Sequence, residues 1–178
     1  MGRNSKAVFQ EAWEFSAKRV NAGKPNKDRI RFFLTDGTTK TFDIAPMRDD
    51  HMKDVFLEIT LNAILNHPVE ALLLTYEAWF VEDETLTDLD VDKYLKTRPA
   101  HHPQRREGVN FYYETADGIM LTALAEIVTS KKGRELVKFP KIIEVKEGAG
   151  RMSHFFPKAR EYSRKMNRNP VDEITQKN

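Results

Sequence analysis

The sequence predicts an α+β domain, a mostly antiparallel sheet with one long buried helix packed on one face and a further helix at the N-terminus. Two Asp-Gly dipeptides, Asp36-Gly37 and Asp117-Gly118, each lie between β-prone runs, where they supply the positive φ that a tight hairpin turn requires. Between them, residues 49–66 carry a wide apolar arc at helical spacing, the pattern of a helix laid across a sheet. Strands joined by hairpins, with one such helix among them, imply a sheet covered on one face.

The elements follow in order. Residues 5–20 read as a helix, with Phe9, Trp13 and Val20 near helical spacing and Ala12 and Phe15 widening the stripe. Asn4 or Ser5 caps its start, and Asn21-Ala22-Gly23 followed by Pro25 stops it. It is read as packing on the core, with a detachable arm as the alternative, so residues 1–24 form a first segment. Ile30–Leu34 and Thr39–Ile44 flank the first turn, and Pro46 ends that hairpin. In the helix Asp49–Asn66, one face holds Met52, Val55, Phe56, Ile59 and Ala63, while Leu57, Leu61, Ile64 and Leu65 broaden it. Asp49 and Asp50 suit its positive N-terminus and Asn66-His67-Pro68 breaks it.

Val69–Val81 is a long strand whose second half alternates, Tyr76, Ala78 and Phe80 on one face and Glu77, Trp79 and Val81 on the other. Residues 82–106 lack periodicity. Acids from Glu82 to Asp92 give way to Lys93, Lys96, Arg98, Arg105 and Arg106, and a short helix is expected around Asp88–Leu95. A connection of that length is usually functional or mobile. Gly108–Thr115 and Ile119–Thr129 form the second hairpin, and Lys131-Lys132-Gly133 turns into Glu135–Lys146, where Pro140 argues for an edge strand or an irregular one. The core domain thus runs from 25 to 147. Gly148-Ala149-Gly150 reads as a hinge, and 148–178 as a basic tail, partly helical or disordered.

Composition narrows the function. The 178 residues hold 29 basic and 27 acidic side chains, a formal charge of +2, so no global field marks a nucleic-acid binder. There is no cysteine, which excludes disulfide scaffolds, thiol nucleophiles and cysteine-ligated metal. The first residues lead into a mixed segment rather than an apolar run, and the longest apolar stretch, Ala71–Leu74, is too short to span a bilayer. A cytoplasmic protein without membrane contact is the expectation.

No catalytic signature appears, whether HExxH, G-x-S-x-G, Walker A or G-x-G-x-x-G. Glu77, Glu114 and Glu126 lie on predicted strands as candidate acid–base carboxylates, or as ordinary solvated ones. His101 and His102 are the one histidine cluster, and neighbouring side chains in an extended chain point apart, so no metal and no cofactor is assigned. The tail is more telling. Arg151, Lys158, Arg160, Arg164, Lys165 and Arg168 stand against one acid, Glu161, and Phe155, Phe156 and Tyr162 are interleaved. That mixture suits gripping phosphates while stacking on bases. The spacings Arg160/Arg164, Arg164/Arg168 and Glu161/Lys165 equally fit an exposed helix.

Glu77-Ala78-Trp79, the loop His102-Pro103-Gln104-Arg105-Arg106-Glu107 and the turn Asp117-Gly118 stand in that order. Over residues 29–128 the chain resembles small uncharacterised proteins encoded by bacteria and their phages, which carry an E-A-W strand followed by an H-P-x-R-x-E segment. The 82–98 insertion and the C-terminal segment depart from that compact pattern. The resemblance implies a phage or bacterial accessory protein, located in the bacterial host's cytoplasm if phage-encoded, and brings no activity with it.

The motif has a structural reading and a functional one. In the first, Arg105 or Arg106 stacks on Trp79 and pairs with Glu77 or Glu107, pinning the long loop to the sheet. In the second, Glu77, Trp79, His102, Arg105, Arg106 and Glu107 form an interaction surface, since Trp and Arg anchor interfaces. Three functions follow. The first is a non-enzymatic binding protein, adaptor or inhibitor, engaging a protein partner or itself. The second is nucleic-acid binding by the tail. The third is an enzyme acting through His101 or His102 with Glu77 or Glu107.

Overall fold

The computed structural model describes residues 4–45, 50–80, 105–145 and 152–166. These form an α+β fold whose described helices are α1 (Ser5–Val20), α2 (Asp50–Asn66) and α3 (Phe155–Met166). The strands are β1 (Arg29–Leu34), β2 (Thr39–Asp43), β3 (Val69–Phe80), β4 (Arg106–Thr115), β5 (Met120–Ser130), β6 (Gly133–Leu136) and β7 (Ile143–Glu144). They make a mostly antiparallel sheet in the order β2-β1-β3-β4-β5-β6, with β7 paired to β5. Where one strand was expected over Glu135–Lys146, two short ones stand on either side of Pro140, which has no N–H to donate to a ladder. The helix expected at Asp88–Leu95 lies outside the described residues.

Two compact units are built from these elements. The first draws on Met1–Arg29, Leu74–Tyr112 and Thr122–Ile143. Its helix α1 begins at Asn4, whose side chain accepts from the Ala7 N–H at 3.4 Å, and ends with Lys18 and Arg19 in the last turn, where cations suit the helix dipole. Val8, Phe9, Ala12, Ser16 and Val20 make its buried stripe, and α1 packs against β6. Full burial of side chains such as Phe9 and Val20, 1% and 0% exposed, contributes about 1.5–3 kcal/mol each. Two further contacts seat the helix: the Leu136 N–H donates to Asn21 Oδ1 at 2.9 Å, and Trp13 meets Phe139 edge-on with centroids 6.0 Å apart.

The second unit draws on Ile30–Leu73, Tyr113–Leu121 and Glu144–Asn178. Between β1 and β2 the chain turns at Asp36-Gly37, with Gly37 at φ 85°, a conformation that favours glycine. Asp36 Oδ1 accepts from the Thr38 hydroxyl at 2.7 Å and the Thr38 N–H at 2.8 Å. Those two bonds, the hydroxyl's first, hold the Asp36 carboxyl below its ordinary range.

Helix α2 is less buried than its composition predicts. Phe56, Thr60 and Leu61 are its buried residues, whereas Val55 is 37% and Ile59 63% exposed. The expected long buried helix is thus corrected to one that buries a narrow line and leaves much of its apolar arc at the surface. It packs against α3, with Phe56 and Phe155 edge-to-face at 6.4 Å. The start of α3 is fixed by a side chain from β4. Glu114 accepts from the Phe155 N–H at 2.8 Å and the Phe156 N–H at 3.0 Å, satisfying donors that a helix leaves unpaired at its first turn. Phe155, Phe156 and Ala159 are buried, so this part of the expected tail is core.

Candidate interaction site

In the first unit, Glu77 and Trp79 stand two residues apart on β3 and therefore share a face. Glu77 is held from three directions. Its Oε1 accepts from the Asn26 N–H at 2.8 Å and from Arg134 Nη2 at 3.4 Å, while its own N–H donates to Asp28 Oδ1 at 3.0 Å. The same guanidinium nitrogen donates to Glu107 Oε1 at 2.8 Å. Arg134, Glu77 and Glu107 are each about a quarter exposed, so the pairing is screened less than a surface bridge. One arginine from β6 thus joins carboxylates from β3 and β4. Beside it the Asn26 carboxamide is buried, and neither its oxygen nor its nitrogen has a hydrogen-bond partner.

Trp79 is 45% exposed, and the Arg105 guanidinium lies 5.1 Å from its ring centroid. Such a cation–π contact at an exposed site contributes about 0.5–1 kcal/mol, enough to bias two side chains into one arrangement. Arg106 faces Glu126 at 3.6 Å. To the expected network the structure adds an arginine that the motif does not contain: Arg134 binds both Glu77 and Glu107. Arg134 escaped the sequence reading because its partners are 57 and 27 residues away. The turn Lys131-Lys132-Gly133 was its one signal, since it sets the register that pairs Thr129 with Arg134. His101 and His102 lie outside the described residues.

The three strand carboxylates considered for acid–base chemistry each have separate structural work. Glu77 binds Arg134, Glu114 caps α3, and Glu126 faces Arg106. Among the described residues no group of three or more His, Asp or Glu is arranged to hold a metal ion.

The basic segment is only partly at the surface. Phe155 and Phe156, expected to stack on bases, are 0% and 4% exposed, a correction that removes them as stacking platforms. Lys158 is half-buried and its Nζ donates to the Ser153 carbonyl at 2.6 Å. Arg160, Arg164 and Lys165 are exposed, and Lys165 pairs with Glu161 at 2.8 Å. That lysine's hydrogen bond and charge lower the Glu161 carboxyl below its ordinary value. Arg151 and Arg168 lie outside the described residues.

Comparison with known protein families, with curated proteins and with solved structures gave no match. Among the described residues no helix is long and apolar enough to cross a membrane.

Proposed function

We propose that the chain is a small non-enzymatic binding protein, an adaptor or inhibitor of phage or bacterial accessory type, which docks in the cytoplasm on a protein partner through Trp79 and Arg105. The observation that carries this reading is the half-exposed Trp79 ring with the Arg105 guanidinium beside it. Trp and Arg are the side chains most enriched at interface hot spots. The Glu77–Arg134–Glu107 clamp supports it by ordering the strand from which Trp79 projects, which lowers the entropic cost of association.

The test is affinity capture from bacterial lysate by the full chain and its Trp79→Ala and Arg105→Ala variants, with half of each sample nuclease-treated. A stoichiometric protein that survives nuclease and is lost with both variants is the expected result. Protein capture indifferent to both substitutions overturns it. Material lost on nuclease treatment, and reduced by Arg160→Glu with Arg164→Glu, moves the function to nucleic acid.

A further inference from the structure

Strand β2 stands at one end of the sheet order, and among the described residues no strand pairs on its outer side. All of its residues, Thr39–Asp43, are exposed. The turn before it orients its backbone, since the Leu34 N–H donates to the Thr38 carbonyl at 3.0 Å. Alternate residues of an antiparallel strand address the same neighbour, so Lys40 and Phe42 turn their backbone groups to β1 and Thr41 turns its own outward. Such an edge is a template for a further strand, and proteins commonly blunt it with proline or unopposed charge. β2 contains no proline, and its one lysine, Lys40, lies within electrostatic reach of Asp36.

The strand is complementary to itself. Phe42 is 51% exposed and lines one groove with Ile59 of α2, so it lies on the helix-bearing face, and Lys40 and Ile44 share that face by alternation. A second β2 laid antiparallel along the first is related to it by a two-fold axis perpendicular to the sheet, which keeps both α2 helices on one face. Centring that axis on Lys40 or on Asp43 sets like charges directly opposite, which is destabilising. Centring it on Thr41 opposes no like charges but separates the two exposed rings. Centring it on Phe42 sets ring beside ring, Thr41 opposite Asp43, and Lys40 opposite Ile44, which accepts the apolar stem of the lysine.

We infer that β2 is a homodimerisation edge, joining two chains strand to strand about a two-fold axis through Phe42. The occupant is a second copy because the charges and the exposed ring of β2 match β2 itself. The same operation places Ile59 of each α2, 63% exposed, on the face that carries the Phe42 pair. The interface uses no residue of the Trp79 surface, so the two readings fail separately.

Sedimentation velocity of the full chain at increasing concentration tests the inference. A reversible dimer is expected and nothing larger, because pairing consumes the edge. Phe42→Lys and Phe42→Glu each set like charges on the axis and are expected to raise the Kd by about a hundredfold or more, with the circular dichroism spectrum intact. An equimolar mixture of the two variants is expected to regain the dimer, since lysine then faces glutamate. Thr41→Pro removes an outward N–H where an edge strand tolerates proline, and is expected to weaken the dimer too. Trp79→Ala is expected to leave it unchanged. A folded wild-type chain that stays monomeric at its highest soluble concentration overturns the inference, as does a dimer indifferent to the Phe42 variants. A mixture of the two folded variants that stays monomeric overturns it as well. Where a Phe42 variant loses its fold, a folded Thr41→Pro chain with the wild-type Kd overturns it instead.

Discussion

Glu114 is 1% exposed and gives both carboxylate oxygens to backbone N–H groups at the start of α3. Charge-assisted bonds of this kind contribute about 1.5–3 kcal/mol, more than neutral ones. Glu114→Ala is therefore expected to lower stability in urea by about 2 kcal/mol and to speed hydrogen exchange at Phe155 and Phe156 first. Glu114→Gln keeps one oxygen acceptor and should lose less. Equal losses for the two variants would mean that shape, not hydrogen bonding, holds the helix. Tyr76 illustrates the opposite demand, for neutrality. Burial raises its phenol above the ordinary 10.0, and the hydrogen bond from Asn110 Nδ2 at 2.9 Å only partly offsets this. Because the folded value is the higher one, the unfolded chain ionises first as pH rises. Stability should be undiminished below about 10 and fall above it, until the folded state ionises as well. Tyr76→Phe should flatten that alkaline decline, as urea midpoints measured across the range would show.

At the level of elements, what could be read depended on how far apart the deciding residues lie. Helix α1 spans residues 5–20 as expected, because Asn4 and the stop after Val20 are both adjacent to it. The partial burial of α2 was unreadable, since apolar content says that a surface is available and not what covers it. Phe155 and Phe156 looked like surface aromatics because two adjacent residues make no stripe, and the carboxylate that caps their helix is 41 residues away for Phe155 and 42 for Phe156. Of the candidate site, Trp79 beside Arg105 was within reach of the sequence and the Arg134 clamp was not. The β4–β5 pairing hides a further constraint. A Cβ on Gly108 would lie 2.8 Å from the Ala125 carbonyl oxygen and 2.9 Å from Phe80 Cε1. A backbone oxygen cannot turn aside as a side chain can, so Gly108→Ala is expected to cost about 1–3 kcal/mol. An unchanged urea midpoint for that variant would show that the strands can part there freely.

For the whole molecule, α3 joins the question of stability to that of function. Its exposed Arg160, Arg164 and Lys165 are what remains of the nucleic-acid reading, while its other face is core. Deleting the chain beyond Val145 removes both at once: Phe155, Phe156 and Ala159 leave the core, and the Glu114 carboxylate loses the two backbone donors it binds there. Loss of the two buried phenylalanines costs about 1.5–3 kcal/mol each, and loss of the two charge-assisted bonds about 1.5–3 kcal/mol each, against a total of about 5–15 kcal/mol for an ordinary domain. The truncated chain is therefore expected to lose cooperative unfolding in urea, so any binding defect it shows says nothing about charge. Arg160→Glu combined with Arg164→Glu changes only exposed side chains and should keep the wild-type midpoint within the scatter of surface substitutions, about 0.5 kcal/mol. Fluorescence anisotropy with single-stranded DNA at increasing salt then separates the roles. Binding that weakens steeply with salt in the wild-type chain and is lost in the folded double variant would assign α3 to phosphate contact. Wild-type and double variant alike in showing none would leave α3 as a structural helix whose arginines only solvate its outer face, and a truncated chain with an unchanged midpoint would contradict the core role itself.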